Sequence, residues 1–91
     1  MNTNIYYNYV LKSQKDNFLY IGFTTNLAQR IDEHDKGLVY STKYRRPLIL
    51  VYYEVSTSQD SALHREKYLK TTYGHRYLRN RIGKNPLSIL L

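Results

Sequence analysis

The spacing of apolar and polar positions changes several times along the chain, and each change marks an element. Residues 5–12, Ile-Tyr-Tyr-Asn-Tyr-Val-Leu-Lys, and residues 18–23, Phe-Leu-Tyr-Ile-Gly-Phe, are aromatic and β-branched and predict two strands. The polar stretch Ser13 to Asn17 between them suits a hairpin loop, so the strands should pair antiparallel. In the first strand Ile5, Tyr7 and Tyr9 share one face, and Tyr6, Asn8 and Val10 share the other. Asn26 and Gln29 have capping-box spacing and Gly37 is placed to end a helix of about three turns. Its apolar stripe runs through Leu27 and Ile31, with Arg30 and His34 on or beside that stripe rather than opposite it. Residues 38–46 read as an exposed basic loop ended by Pro47, and residues 48–55, the most apolar run, predict the third and most protected strand. Ser58 or Asp60 then caps a helix running to about Tyr73, with Gly74 as its stop. Its apolar stripe is Ala62, Leu63, Leu69 and Tyr73, and Glu66 projects from the middle of that stripe, with Arg65, Lys67 and Lys70 on its flanks. Residues 75–82 predict a short final helix. Residues 84–91 form an apolar tail that packs on the domain or on a second copy, the sequence leaving both open.

At 91 residues the chain is read as one small domain, residues 1–83, followed by the tail. It contains no cysteine, which excludes disulfides, thiolate metal sites and thiol catalysis, so any metal must be held by oxygen or imidazole. No apolar stretch is long enough to span a membrane and the N-terminus lacks the pattern of a signal peptide, which makes a cytoplasmic location the default expectation. Lys and Arg number 14 against 7 Asp and Glu, for a formal charge of +7 and a pI near 9.7. The excess lies after residue 35: the earlier part balances Lys12, Lys15 and Arg30 against Asp16, Asp32, Glu33 and Asp35. Such a surface attracts polyanions without reading sequence.

Charged side chains placed on apolar stripes need partners, and here their identities suggest phosphodiester chemistry. Arg30 offers a planar fork to nonbridging phosphate oxygens. Glu66 is the only carboxylate expected to face inward; it is either salt-bridged to Arg30 or the ligand of one Mg²⁺ or Mn²⁺ ion. Tyr9 or Tyr20 could act as a proton-transfer group if its pKa, or that of the attacking water, is lowered. Lys43, Arg45 and Arg46, interleaved with Tyr40 and Tyr44, suit phosphate contact and stacking or else a solvated face, and Arg76, Arg79 and Arg81 extend the basic surface.

The ordered set Tyr7-Asn8-Tyr9, Tyr20-Ile21-Gly22, Arg30, His34 and Glu66 resembles the GIY-YIG nuclease superfamily over roughly residues 5–80. It is most similar to the short single-domain branch, with Ser41 to Pro47 as a second marker, and is also similar to the N-terminal catalytic domain of the repair excinuclease ABC. The resemblance implies an α+β fold, a three-stranded antiparallel sheet flanked by helices in the order β-β-α-β-α-α, which agrees with the periodicities above. It further implies that Tyr9 and Tyr20 line the site, that Arg30 binds phosphate, that Glu66 binds one divalent cation, and that His34 stands where the family has Tyr or His. Asn80 corresponds loosely to a late asparagine of the family. Two departures stand out: Tyr7 and Asn8 replace the first motif's glycine and central residue, and Phe23 replaces a lysine of the repair nuclease. The function so implied is a divalent-metal-dependent DNA endonuclease, structure-selective and linked to repair or recombination, with specificity set by DNA structure, its own loops or a protein partner. The alternative is a nucleic-acid-binding module without turnover. An inward Glu66, which repels DNA, favours the enzyme.

Overall fold

The computed structural model describes residues 4–83. Its elements are β1 (Tyr6–Ser13), β2 (Leu19–Thr24), α1 (Leu27–Asp35), β3 (Leu48–Ser56), α2 (Gln59–Leu69) and α3 (Thr72–Ile82), with a single 3₁₀ turn at Lys43–Arg45. The order β-β-α-β-α-α and the α+β class are those expected. The antiparallel sheet has the strand order β2-β1-β3. The β1–β2 hairpin closes through Ser13, whose Oγ accepts from the amides of Lys15 (3.1 Å) and Asp16 (3.3 Å), and through Asn17 in the left-handed conformation (φ 62°).

β3 is therefore an edge strand, which corrects its expected place as the most protected one. β1 is central, with Asn8 to Leu11 buried, whereas Tyr53 and Val55 of β3 are about half exposed. The apolar run at the start of β3 has a different cause: helices cover both faces of the sheet there. Ile49 and Val51 join the core against α2 and α3, while Leu50 faces Leu27 and Ile31 of α1. The main core is Val10, Leu19, Ile21, Val51, Leu69, Leu78 and Ile82, flanked by Ile49, Tyr52 and Tyr77.

The helical boundaries also differ from the pattern-based reading. α2 starts at the Ser58 cap as expected but stops at Leu69, and Thr71 begins α3, its Oγ1 accepting from Gly74 N (3.1 Å) and donating to Tyr68 O (2.6 Å). Gly74 is not a helix stop. It lies in the first turn of α3, where a side chain would strike the Tyr68 carbonyl and the Leu69 backbone, so glycine there permits a tight corner between the helices. Leu63 and Tyr73 face outward, and the buried positions of α2 are Ala62 and Leu69. α1 follows its expected course, with the Asn26 side chain accepting from Gln29 N (3.1 Å) and Gly37 (φ 76°) following the last turn.

Residues 38–46 are not a simple exposed loop. Val39 and Thr42 are buried, Ser13 Oγ donates to Arg45 O (2.6 Å), and Arg46 donates back to Lys43 O (3.0 Å) and Asp35 O (3.1 Å). These bonds fix the loop against the hairpin and the end of α1. The tail beginning at residue 84 lies outside the described residues. Among the described residues no helix is long and apolar enough to cross a membrane.

The β1–β2 register places Tyr9 opposite Gly22, and the Tyr9 ring lies directly over the glycine, occupying the space a Cβ would need. Gly22→Ala should therefore destabilise the domain by roughly 1–3 kcal/mol, the usual cost of overpacking. Urea denaturation of the single and double variants checks the cause. The penalty should largely disappear in a Tyr9→Ala background, and an equal penalty in both backgrounds would assign the clash to another neighbour.

Candidate active site

Tyr9 and Tyr20 come together on the α1 side of the sheet because hairpin register pairs Leu11 with Tyr20 and Tyr9 with Gly22, so all four share one face. Tyr9 is wholly buried, and its hydroxyl lies 2.8 Å from Nε2 of His34. His34, also wholly buried and the only buried residue of α1, makes its second bond from Nδ1 to Thr42 Oγ1 at 2.7 Å. The Tyr20 ring packs on both, its centroid 6.2 Å from that of Tyr9 and 5.1 Å from that of His34, yet it retains partial exposure. Arg30, one turn before His34 on α1, pairs with Glu33 at 2.9 Å with its side chain 36% exposed. With Phe23, Thr24, Thr25, Asn26, Gln29 and Glu33 it lines an open cleft of about 390 Å³.

Burial holds the Tyr9 phenol protonated, its pKa pushed up to about 12 despite the opposing influence of Arg30. Burial, helped by the positive charge of Arg30, lowers the pKa of His34 to about 4. The Arg30 guanidinium is held in its charged form chiefly by its hydrogen bond with Glu33 and then by Tyr9. At neutral pH the site thus contains a neutral imidazole, a protonated buried phenol, the partly exposed Tyr20 and one cation.

Glu66 stands apart from this cluster. Helix α2 packs on the opposite face of the sheet, where Val10 and Ile21 meet Leu69. Glu66 sits between the buried Ala62 and Leu69 with its side chain 21% exposed, and its carboxylate is 3.5 Å from Lys70 Nζ. The expected alternative, a salt bridge to Arg30, is not formed: Arg30 takes Glu33 from the next turn of its own helix, a nearer partner than any residue of α2. Nor is Glu66 the only inward carboxylate, because Glu33 and Glu54 are also partly buried. Among the described residues no group of three His, Asp or Glu side chains is arranged to hold a metal. What Glu66 presents is a single carboxylate with one long ion pair, a donor set that suits Mg²⁺ completed by water and phosphate oxygens.

The basic side chains occupy three settings. Lys43 lies over Tyr40 (5.5 Å) and Tyr44 (4.9 Å), two strongly exposed rings. Arg45 pairs with Asp16 at 2.6 Å and covers Phe18, and Arg46 is folded onto backbone carbonyls. On α3, Arg76 and Arg81 lie beside Tyr73 and Tyr77, and Arg79 and Asn80 are exposed. Phe23 stacks on Tyr6 with ring centroids 6.0 Å apart.

Several residues of consequence have partners that periodicity does not reveal. Thr42 sits in a stretch with no period, and its burial follows from tertiary packing. Arg65 is not a simple flank residue: it reaches Glu54 at 2.5 Å, and Glu54 also accepts from Tyr52 Oη (2.6 Å), tying α2 to β3. Asn8, 2% exposed, leaves its Oδ1 without a hydrogen bond among the described residues, beside Glu54, Ala62 and Arg65.

The lowered His34 pKa makes stability depend on pH. The unfolded chain binds a proton at this position near pH 6.5, whereas the folded protein does so only near 4. Stability should therefore be lost as pH falls from about 6.5 to 4, by up to about 3 kcal/mol from this group. Urea denaturation of wild type and His34→Gln across this range checks it: the difference between their stabilities should shrink toward low pH, and a constant difference would refute the assignment.

The family profile described as GIY-YIG catalytic domain matches residues 5–82. A UPF0213 protein of Staphylococcus haemolyticus (strain JCSC1435) is 48% identical over 68 residues, covering 72% of this chain and 80% of that protein. A UPF0213 protein of Streptococcus pyogenes serotype M5 is 43% identical over 72 residues, covering 77% of this chain and 76% of its own length. The solution NMR structure of UPF0213 protein BH0048 from Bacillus halodurans superposes with a TM-score of 0.56 at 28% identity, covering 88% of this chain and 87% of that one. With its fold, its paired tyrosine strands and its helix arginine all in the matched region, the chain belongs to the GIY-YIG catalytic domain family, whose members are generally nucleases.

Proposed function

We propose that the protein is a divalent-metal-dependent DNA endonuclease that hydrolyses phosphodiester bonds. The observation carrying this reading is the junction of a partly exposed Tyr20, a buried Tyr9–His34 pair and the charged Arg30, which also lines an open polar cleft. A phosphate in that cleft would meet the fork of Arg30, whose remaining donors are available once Nη1 is taken by Glu33. Arg30 then stabilises charge building on the nonbridging oxygens. Of the two tyrosines, Tyr20 suits proton transfer with an attacking water because it alone keeps exposure, while Tyr9 is wholly buried and acts by orienting it. Glu66 would hold one Mg²⁺ or Mn²⁺; such an ion supplies charge neutralisation at the phosphate and a lowered pKa of water. Lys43, Arg45, Arg46, Arg76, Arg79 and Arg81 supply phosphate contacts along the DNA, Lys43 being the loop cation least committed to partners within the protein.

Incubation with nicked, branched, single-stranded and duplex DNA, with Mg²⁺ or Mn²⁺ and with chelator, tests the reading. Cleavage should require the metal. Glu66→Gln should abolish it while leaving DNA binding intact, and Arg30→Lys should be nearly as damaging as Arg30→Ala, because lysine keeps the charge without the fork. Tyr20→Phe should cost on the order of a hundredfold in kcat, and Tyr9→Phe less. Tight binding without metal-dependent cleavage of any of these DNAs would establish the alternative, a binding module.

Neutralising Lys43, Arg45 and Arg46 together should lower the slope of log affinity against log salt by up to about 2 to 3, near 0.9 per phosphate contact. The loss should be similar across sequences. Titration at several salt concentrations checks this, and an unchanged slope would place the loop away from DNA.

A further inference from the structure

Tyr40 and Tyr44 are 82% and 71% exposed, although the backbone that carries them is fixed. Val39 and Thr42 are buried, the amides of Thr42 and Lys43 both donate to Val39 O (3.1 and 3.0 Å), Arg45 N donates to Thr42 O (2.9 Å), and Lys15 Nζ donates to Tyr44 O (3.3 Å). The exposure of the two rings is therefore a property of the fold rather than of a loose loop. Lys43 Nζ stands over both, 5.5 Å from the Tyr40 centroid and 4.9 Å from that of Tyr44. An ammonium group covers one face of a ring and leaves the other to solvent. Scattered exposed aromatics need no explanation, but two on one pinned turn, sharing a cation and followed by Arg45 and Arg46, form the combination that stacks bases while neutralising the phosphates beside them. The formal charge of +7 favours such a polyanion as the occupant. In duplex DNA the base faces are already stacked on one another, so only unpaired bases can use these rings.

We propose that Tyr40 and Tyr44 form a stacking platform for unpaired bases, with Lys43 on the adjoining phosphate, so that the DNA this protein binds carries a single-stranded segment such as a flap, a gap or an open end. This names the substrate class for the nuclease reading above and rests on that reading for the choice of DNA; the platform itself concerns binding, not cleavage. It reads no sequence, because every base has a flat face. The cations of the loop supply affinity that falls with salt, whereas the rings supply affinity that does not, since stacking releases no counterions.

Fluorescence anisotropy with a labelled single-stranded oligonucleotide and with its blunt duplex, in chelator and at several salt concentrations, tests this. Tyr40→Ala and Tyr44→Ala should each weaken single-strand binding by about five- to a hundredfold while leaving duplex binding unchanged. The slope of log affinity against log salt should stay as in wild type, in contrast to the loop with its cations neutralised. Tyr40→Phe and Tyr44→Phe should bind as wild type does, because the ring face rather than the hydroxyl makes the contact. Both rings are exposed, so the alanine variants should also melt as wild type does, which separates a lost contact from a lost fold. Wild-type single-strand affinity in the alanine variants, an equal loss on strand and duplex, a lowered salt slope, or failure of phenylalanine to preserve binding each overturns the platform. Cleavage assays with metal keep the two readings apart. Metal-dependent cleavage by wild type combined with ring-independent binding would sink the platform alone. Ring-dependent binding of single strands without cleavage of any DNA would sink the nuclease reading alone, and failure to bind either DNA would sink both.

Discussion

A chain of buried hydrogen bonds from Tyr9 through His34 to Thr42 ties together elements that otherwise have few reasons to meet. Tyr9 belongs to the central strand, His34 to α1 and Thr42 to the loop after α1. All three side chains are at most 1% exposed, so each polar atom must be satisfied within the group or cost about as much as a lost hydrogen bond. This sets the place of α1, because His34 is its only buried residue and its apolar positions Leu27 and Ile31 are half-buried. The geometry in turn depends on Gly22, which lets the tyrosine ring cross β2. The glycine of the second motif is thus explained by packing, whatever the chemistry at the hydroxyl.

Around this fixed centre the charges are held loosely. The Arg30–Glu33, Arg45–Asp16 and Glu66–Lys70 pairs all include partly exposed side chains, where solvent screening leaves an ion pair a minor contributor to stability. They keep carboxylates and guanidinium groups ordered at low cost and can be exchanged for a phosphate or a cation. A rigid neutral core beneath replaceable ion pairs is what a site for polyanions requires: the uncharged groups set the geometry, and the charged groups remain able to change partners.

How much of this is legible in the sequence depends on how local each cause is. The hairpin, the phase of Tyr9 and Tyr20, the Asn26 cap and the order of elements follow from strand alternation and capping, which operate within a few residues. The central position of β1 does not, because apolarity at the start of β3 reflects two covered faces rather than two paired edges. Gly74 hides its role for a similar reason: a glycine after a helical run usually marks a stop, but here the requirement is a close approach of two backbones. Arg30 and His34 stand out as charged or polar groups beside an apolar stripe, yet their partners do not, since Glu33 and Thr42 compete with distant residues on geometric terms alone. Thr42 shows the limit most clearly: it falls within the Ser41 to Pro47 stretch that resembles the family, yet nothing local reveals its burial or its bond to His34.

The sheet itself poses the remaining constraint on any phosphodiester chemistry. Tyr9, Tyr20 and Arg30 lie on the α1 side, and Glu66 is carried by the helix on the other side. A ligand cannot pass through the sheet, so a single phosphate can engage both sets only around an edge, and the strand order leaves β2 and β3 as the edges. β2 carries Tyr20, and residues at its far end, Phe23 and Thr24, line the cleft beside Arg30. The β3 edge lies beyond β1 from that cleft and carries Tyr53 and Val55 on its exposed surface instead. Under the nuclease reading the scissile phosphate therefore approaches along β2, the edge strand that carries Tyr20.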